Sequence, residues 1–396
     1  MRRVFKLAGR AVGIRRFRLI VVAALVGVAT LATASVAPAG EQTRSLPEVQ
    51  RALDEVVAAG APGAMALVRD GDRTIRLSSG YGNLAPKTPM RVADRFRIGG
   101  LTKTFTAAVV LQLVGEGKIA LDDTLEQWLP GAISNGDAIS VRQLLNHTSG
   151  IFDYIKDPRV LGPYLEDLPN NLALIFDPRE GVSIAAEHGP LFPPGSDLSY
   201  SNTNYLLLAM IVEVATGDSI GSELRERIFE PLGLRHTAYP TSSRINGSYT
   251  HGYLPLDEST LLDVTPLSPT LLGASGGILS NAKDVARFYR ALLAGRLLAP
   301  ELLNAMQTID PVATGGVPDS GFPGGGWGLG LLRETFPCGS EAWGHDSEIP
   351  GYVTAAWNSK DGTRQVVVVV NRLLEPDEPA AQALREVLAA AYCRPS

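Results

Sequence analysis

The chain has 396 residues, of which 45% are hydrophobic and 19% are charged, with 41 glycines and 27 prolines. These values are ordinary for a folded protein and exclude a disordered chain, a collagen-like repeat and a coiled coil. The formal net charge is −5, although residues 1–40 hold seven basic residues and no acidic ones. The rest of the chain is therefore clearly acidic, which argues against a nucleic-acid partner.

The basic N-terminal residues are followed by an apolar run over residues 19–34 and then by the small residues Ala37-Pro38-Ala39. A basic segment, an apolar segment and a small-residue site in this order are typical of a secretory signal peptide. The apolar run is long enough that an uncleaved membrane anchor is an alternative to a cleaved signal peptide. We therefore expect residues 1–39 to direct export, and a mature protein that is secreted or held at the cell surface.

Cys338 and Cys393 are too few for a metal cluster or for a fold built on disulfides. In an oxidising compartment they could join a late strand to the C-terminal segment, and the alternative is two buried thiols. The histidines at 188, 236 and 251 are not spaced as zinc ligands. We expect no metal and no cofactor.

In chain order, two short apolar runs around Asp70-Gly71 predict a hairpin over 63–78. Apolar spacing predicts helices over 102–116, 205–215 and 282–293, strands over 327–332, 353–357 and 366–370, and a closing helix over 380–391. The Pro- and Gly-rich segment 317–326 predicts a surface loop. Strands at both ends with helices between them predict one sheet and a helical second lobe, with a site in the cleft between them.

Four segments stand out by their order and spacing. They are FRIGGLTKTF at 96–105, LLNHTSG at 144–150, YSN at 200–202 behind FPPG at 192–195, and WGHDS at 343–347 ahead of PGY at 350–352. Together they resemble the penicillin-recognising serine hydrolases, which include DD-carboxypeptidases, class C β-lactamases and related esterases and D-aminopeptidases. The resemblance covers nearly all of residues 50–390.

The resemblance implies an α/β (α+β) fold in which helices flank an antiparallel sheet and a helical lobe is joined to it. It places one domain over residues 40–396, with the sheet lobe over about 45–98 and 275–396 and the helical lobe over about 99–274. It implies a peptide, amide or ester substrate and no cofactor. From the sequence we further expect no nucleic-acid partner, membrane contact only through an uncleaved N-terminal segment, and a monomer. A histidine at 345, where many members have lysine, points to the carboxypeptidase, esterase and aminopeptidase branch.

Members of this family carry Ser-x-x-Lys at a helix start, so that one helical turn brings the lysine to the serine hydroxyl. A Tyr-x-Asn loop supplies a proton shuttle and an orienting amide, and backbone N–H groups stabilise the oxyanion. The resemblance therefore assigns Lys103 as general base, Tyr200 as proton shuttle, Asn202 as orienting amide and His345 to the facing strand. The position of the serine is occupied by Gly100.

Glycine has no atom that attacks an acyl group, so acyl-enzyme chemistry cannot proceed through Gly100. A second departure is His345-Asp346-Ser347, where the family pattern is His-x-Gly. A side chain at 347 is expected to lean toward the space of the substrate backbone. We therefore treat Ser347 and Asp346 as candidate substrate-binding residues.

Three explanations are open at this point. First, Gly100 could be a substitution introduced to inactivate a hydrolase. Second, the chain could be a natural homologue that binds a cell-wall peptide or an antibiotic without turnover. Alternatively, the chain could use Lys103 and Tyr200 for proton transfer, or Ser347 as a relocated nucleophile.

Several motif residues are predicted to be structural. His147 and Ser149 lie in a turn rich in residues that bond to the local backbone. Ser201 is expected to point away from the pocket. The segment 275–277 is expected to serve close backbone packing rather than catalysis.

Overall fold

A large antiparallel sheet organises the protein. The computed structural model describes residues 46–257, 259–314 and 325–393, so the predicted signal peptide lies outside the described residues. Within these ranges the largest sheet has eight strands in the order β3-β2-β1-β12-β11-β10-β9-β8. Its strands are β1 (Gly63–Asp70), β2 (Arg73–Leu84), β3 (Lys87–Pro89), β8 (Gly326–Trp327), β9 (Leu332–Thr335), β10 (Glu341–Ile349), β11 (Tyr352–Asn358) and β12 (Arg364–Val370).

The centre of this sheet joins the two ends of the chain. β1 pairs antiparallel with both β2 and β12, with Ala66 opposite Leu77 on one side and Val368 on the other. The predicted hairpin and the strands predicted over 353–357 and 366–370 are confirmed. The α/β fold with an antiparallel sheet and flanking helices is confirmed as well.

The strand predicted over 327–332 is wrong. Trp327 and Leu332 are paired with each other in two short strands, β8 and β9, and Gly330 between them has φ +74°. The chain therefore reverses inside the predicted strand, because the glycines at 328 and 330 allow a tight turn. Most of the loop predicted over 317–326 lies outside the described residues.

Both faces of the central strands are buried. Along β12, Val366 and Val368 pack into one hydrophobic cluster and Val367 and Val369 into another, as expected from side chains that alternate between faces. The first face is covered by α1 (Leu46–Ala58) and α12 (Pro379–Tyr392). A strand buried on both faces needs a continuous apolar run, which is what 366–370 supplies.

The second face carries the helical part of the chain. Its helices are α2 (Thr102–Gly115), α3 (Leu125–Trp128), α4 (Val141–Leu145), α5 (Pro158–Glu166), α6 (Leu168–Asn171), α7 (Pro178–Ala186), α8 (Thr203–Thr216), α9 (Ile220–Leu224), α10 (Ala282–Leu293) and α11 (Pro300–Met306). α2 is buried on nearly all sides, which fits its apolar residues around the whole circumference. The helices predicted over 102–116, 205–215, 282–293 and 380–391 are confirmed within one or two residues.

Two small strand pairs and a 3₁₀ turn complete the fold. β4 (Phe96–Arg97) pairs with β7 (Leu279–Ser280), and β5 (Tyr253–Pro255) pairs with β6 (Leu261–Asp263). A 3₁₀ turn, Gly99–Leu101, leads from β4 into α2. This turn contacts β10 and β11, so the start of α2 is held against the large sheet.

Cys338 and Cys393 form a disulfide bond, which decides between the two alternatives left open by the sequence. The bond joins the loop between β9 and β10 to the residue that follows α12, across 55 positions of sequence.

Among the described residues, no single helix is long and apolar enough to cross a membrane. One pair, Thr203–Thr216 with Ile220–Phe229, meets the criterion jointly by length and composition but bends by 86° at its break.

Candidate active site

Lys103 lies in the first turn of α2 and is almost fully buried, with 1% of its surface exposed. Its Nζ donates hydrogen bonds to Oδ1 of Asn202 at 2.9 Å and to the carbonyl of Ser275 at 2.8 Å. Burial lowers the pKa of Lys103 to about 7, although the Asp153 carboxylate opposes this shift. Near neutral pH the amine is therefore divided between its charged and neutral forms, and the neutral form can accept a proton.

Tyr200 and Asn202 lie just before α8 and face Lys103. The Tyr200 hydroxyl donates to Oδ1 of Asn202 at 3.2 Å, and Nζ of Lys103 is 4.8 Å from the centre of the Tyr200 ring. Desolvation raises the pKa of Tyr200 well above its usual value, so the phenol keeps its proton. Oδ1 of Asn202 thus accepts from both groups and fixes their relative position.

Asp153 holds the Asn202 amide in this orientation. The Asn202 backbone N–H donates to Oδ1 of Asp153 at 3.2 Å, and Nδ2 donates to Oδ2 at 3.1 Å. Because Nδ2 is engaged by a carboxylate, the amide oxygen must face Lys103. The sequence analysis missed Asp153, since a single aspartate in a loop has no spacing pattern that points to a site.

His345 extends from β10 toward the start of α2. Its Nδ1 donates to the carbonyl of Asp346, which leaves Nε2 as the unprotonated nitrogen in this hydrogen-bond assignment. Burial, and secondarily the charge of Lys103, lowers the pKa of His345 to about 3. Nε2 is buried and has no hydrogen-bond partner among the described residues, so it offers a free acceptor.

His147 supports Tyr200 from behind. It is fully buried with φ +64°, and its Nδ1 accepts from the backbone N–H of Ser201 at 3.2 Å. Its ring centre lies 4.6 Å from those of Tyr200 and Trp327. The predicted structural role of His147 agrees with these contacts. Trp327, which sequence reasoning did not select, also lies 5.7 Å from the His345 ring.

The motif serines Ser149 and Ser201 have hydrogen-bond partners within the protein. The Ser149 hydroxyl donates to Oδ1 of Asn204 at 2.8 Å. The Ser201 hydroxyl donates to the carbonyl of Phe152 at 3.3 Å and is buried. Both observations agree with the predicted structural roles.

Gly100 faces β10 across a narrow gap. A Cβ built on Gly100 would lie 3.0 Å from Cε1 of His345, 3.2 Å from the carbonyl oxygen of Asp346 and 3.4 Å from Oγ of Ser347. Its φ is outside the left-handed region, unlike that of Gly99 at +54°. The backbone conformation at position 100 is therefore compatible with a side chain. That side chain would point at β10, and His345 and the Asp346 carbonyl would have to shift by a few tenths of an ångström to admit it.

Ser347 contacts this turn directly. The backbone N–H of Gly100 donates to Oγ of Ser347 at 2.6 Å, and a Cβ on Gly99 would lie 2.1 Å from the same oxygen. The expectation that the side chain at 347 leans into the site therefore agrees with the structure.

Asp346 is placed differently from its two neighbours on β10. Regular pairing of β10 with β11 puts its side chain on the face opposite to His345 and Ser347. There it lines a cavity of about 50 Å³ together with Arg385 and Leu388 of α12. Its carbonyl oxygen would lie 3.2 Å from a Cβ at position 100, and the substrate contact of its side chain stays a prediction.

Ser275 contributes to the site through its backbone. Its carbonyl accepts from Lys103, while its own hydroxyl is buried and donates to the carbonyl of Leu272 at 2.6 Å. A Cβ on Gly277 would lie 2.8 Å from the carbonyl of Gly273, so the predicted close packing is present. The prediction missed that the same segment also supplies a hydrogen-bond acceptor for Lys103.

The described residues bring no three His, Cys, Asp or Glu side chains together in a group that could hold a metal ion. The groups gathered around Gly100 are instead an amine with a lowered pKa, a protonated phenol and a neutral imidazole. Such a set can move protons and can orient a polar ligand. At Gly100 itself there is no nucleophilic side chain.

Known proteins are similar to this chain over most of its length. A family model described as Beta-lactamase matches residues 49–391. Penicillin-binding protein 4* of Bacillus subtilis (strain 168) is 26% identical over 343 residues, which are 81% of this chain and 70% of that protein.

Two similar solved structures carry names of amide hydrolases. A D-stereospecific amidohydrolase from Streptomyces sp. is 37% identical with a TM-score of 0.78, covering 89% of this chain and 100% of that one. A D-amino acid amidase from Ochrobactrum anthropi SV3, complexed with L-phenylalanine amide, is 28% identical with a TM-score of 0.75, covering 87% and 98%.

Proposed function

The chain belongs to the beta-lactamase family. On this basis we propose that its cleft binds small amides or peptides that contain a D-configured residue. In this proposal the cleft keeps the family's acid–base frame. The native chain binds such a ligand but forms no acyl-enzyme at Gly100, because that residue has no hydroxyl.

The observation that carries the proposal is the set of contacts around Lys103. Its buried Nζ is bound to Asn202 and to the carbonyl of Ser275, one helical turn after Gly100. Burial of an amine is energetically unfavourable because the amine loses its hydration, so a buried lysine indicates a functional role. The role that fits this position is that of a general base for a side chain at position 100.

The ligand class is supported by two features. The similar solved structures named above are a D-stereospecific amidohydrolase and a D-amino acid amidase. The facing strand carries neutral His345, whose buried Nε2 has no partner among the described residues and would accept an N–H from an amide or amine if ligand binding uncovers it. A lysine at that position would instead favour a carboxylate.

The reaction follows directly if a serine stands at position 100. Its hydroxyl oxygen attacks the amide carbon while its proton passes to neutral Lys103, and the Gly100-position N–H stabilises the developing oxyanion. Tyr200 then relays a proton to the leaving nitrogen, the C–N bond breaks, and an acyl-serine remains. Water hydrolyses this ester and restores the hydroxyl. The native chain stops before the first step.

Hydrolysis of D-phenylalanine amide and L-phenylalanine amide by the wild type, Gly100→Ser and Gly100→Ala tests the proposal. We expect turnover only from Gly100→Ser, with preference for the D form. Gly100→Ala is the matched control, because it adds the same Cβ without an oxygen. If Gly100→Ser folds and shows no activity on either amide, on an ester or on a β-lactam, the proposed acid–base roles of Lys103 and Tyr200 are wrong.

A second candidate has one observation in its favour. The Ser347 hydroxyl lies beside Gly100, close to the space that a serine at 100 would occupy, so Ser347 could attack an acyl group itself. However, no hydrogen bond joins Ser347 to Lys103, Tyr200 or His345 in the part of the chain that the structure describes. Wild-type turnover that Ser347→Ala abolishes would establish this candidate in place of the first. Wild-type turnover lost in Tyr200→Phe but kept in Ser347→Ala would instead assign proton-transfer chemistry to Lys103 and Tyr200.

The proposal also includes export and a monomeric state. The basic and apolar segments within residues 1–39 support export, and the Cys338–Cys393 disulfide is typical of an oxidising compartment. N-terminal sequencing of the protein recovered outside the cytoplasm is expected to begin near residue 40. Light scattering is expected to give the mass of one chain.

A further inference from the structure

The Gly100 backbone N–H is directed at β10, and the atom it meets there is Oγ of Ser347, at 2.6 Å. The same oxygen would lie 2.1 Å from a Cβ at Gly99. The hydroxyl therefore sits directly against the turn that begins α2, and Gly99 can come so close only because it has no side chain.

Under the proposed function, this N–H is the donor that a bound carbonyl oxygen needs. A backbone donor at a helix start can serve a ligand only if its hydrogen points to free space or to displaceable water. Here a protein side chain already occupies the acceptor position. Ser347 is only partly buried, and rotation of its side chain would release this N–H.

From these contacts we infer that the Ser347 hydroxyl accepts the hydrogen bond that the Gly100 N–H would otherwise donate to a ligand. It thereby competes with carbonyl ligands for this N–H and weakens their binding. This inference rests on the proposed function for its ligand class. Ser347 is thus a specificity-determining residue: a ligand that binds must displace its hydroxyl and replace the hydrogen bond that is lost.

The competition has a predictable size. An intramolecular hydrogen bond of this kind contributes a net stabilisation that corresponds to about a twofold to tenfold change in an equilibrium constant. Removing the hydroxyl should strengthen the binding of an amide by about that factor. Keeping a hydroxyl at position 347 should leave the binding weak.

Ser347→Ala and Ser347→Thr form the matched pair for this test, because both keep a Cβ and only threonine keeps the hydroxyl. Calorimetric titration with D-phenylalanine amide should give a dissociation constant for Ser347→Ala about twofold to tenfold lower than for the wild type. Ser347→Thr should remain near the wild-type value. Equal affinity in all three proteins overturns the inference while leaving the proposed function in place.

A second readout needs no ligand. In protein labelled with ¹⁵N-glycine, the Gly100 amide proton should exchange more slowly in the wild type and in Ser347→Thr than in Ser347→Ala. Unchanged exchange in Ser347→Ala overturns the inference whatever the titrations show. If exchange changes as expected but none of the three proteins binds an amide, an ester or a β-lactam, the internal hydrogen bond is established. The proposed function then fails, and with it the inferred competition with a ligand.

Discussion

Nζ of Lys103 and Oδ1 of Asn202 lie 2.9 Å apart in the buried centre of the site, although the two residues are 99 positions apart in sequence. Asn202 is held in turn by the carboxylate of Asp153. The amine is thus surrounded by dipoles and one nearby charge rather than by a directly bound carboxylate. This arrangement explains why burial dominates and lowers the pKa of Lys103 to about 7.

The lowered pKa of Lys103 makes stability depend on pH. Between pH 7 and the usual lysine value of 10.5 the unfolded chain holds a proton that the folded chain has lost, so unfolding takes up a proton and stability rises with pH. We expect the wild type to gain about 1 kcal/mol per pH unit relative to Lys103→Met between pH 7 and 9. Urea unfolding of both proteins at each pH measures this difference. If the difference in unfolding free energy between the two proteins stays constant across this pH range, the pKa of Lys103 is not lowered in the folded protein.

Asp153→Asn should lower the pKa of Lys103 further below its wild-type value. The Asp153 carboxylate raises the pKa of Lys103 through its charge, and asparagine removes the charge while keeping the size of the side chain. NMR titration of the labelled lysine Cε signals measures the shift. Asp54→Asn, an exposed change on α1, is the control and should leave the titration of Lys103 in place. A rise in pKa in Asp153→Asn would contradict this electrostatic description.

Gly99→Ala should destabilise the protein through two separate effects. The φ of +54° is unfavourable for alanine, and the added Cβ would lie 2.1 Å from Oγ of Ser347. Gly117 has φ +70° with no atom within 4 Å of its Cβ position, so Gly117→Ala is the control for the first effect alone. We expect a loss of about 1 kcal/mol for Gly117→Ala and clearly more for Gly99→Ala.

The clash itself can be isolated in a double-mutant cycle. Gly99→Ala should cost less free energy of unfolding in a Ser347→Gly background than in the wild type, because the contacting hydroxyl is gone. Thermal or urea unfolding of the four proteins supplies the comparison. Equal costs in the two backgrounds would show that Ser347 does not pack against this turn.

Removal of the Cys338–Cys393 bond should lower stability without affecting the site, since the bond lies at the end of α12 rather than near Lys103. The double variant Cys338→Ala with Cys393→Ala is expected to lose about 2 to 4 kcal/mol of unfolding free energy, as the cross-link restricts the unfolded chain over a long loop. Unfolding of the wild type with and without a reducing agent provides the matched measurement. Identical midpoints would indicate that the bond does not constrain the chain in solution.

The sequence predicted the helices α2, α8, α10 and α12, the hairpin of β1 and β2, and the strands β11 and β12, because their apolar patterns are long and regular. It did not predict α1, and it gave no bounds for the shorter helices and strands. It failed at 327–332, where glycines turn an apolar run back on itself. Motif order led to Lys103, Tyr200, Asn202 and His345. The structure brings Tyr200 and Asn202 to Lys103 and places His345 beside Gly100. Asp153 and the Ser275 carbonyl were not accessible to such reasoning, because long-range contacts and backbone groups leave no spacing pattern.

The most direct test of the central claim is intact-mass spectrometry after incubation with a β-lactam and, separately, with an activated ester. Wild type, Gly100→Ser and Gly100→Ala are compared under the same conditions. The account predicts an acyl adduct on Gly100→Ser alone, which would show a working acid–base frame that lacks only the hydroxyl. An adduct on the wild type, or none on a folded Gly100→Ser, would contradict it.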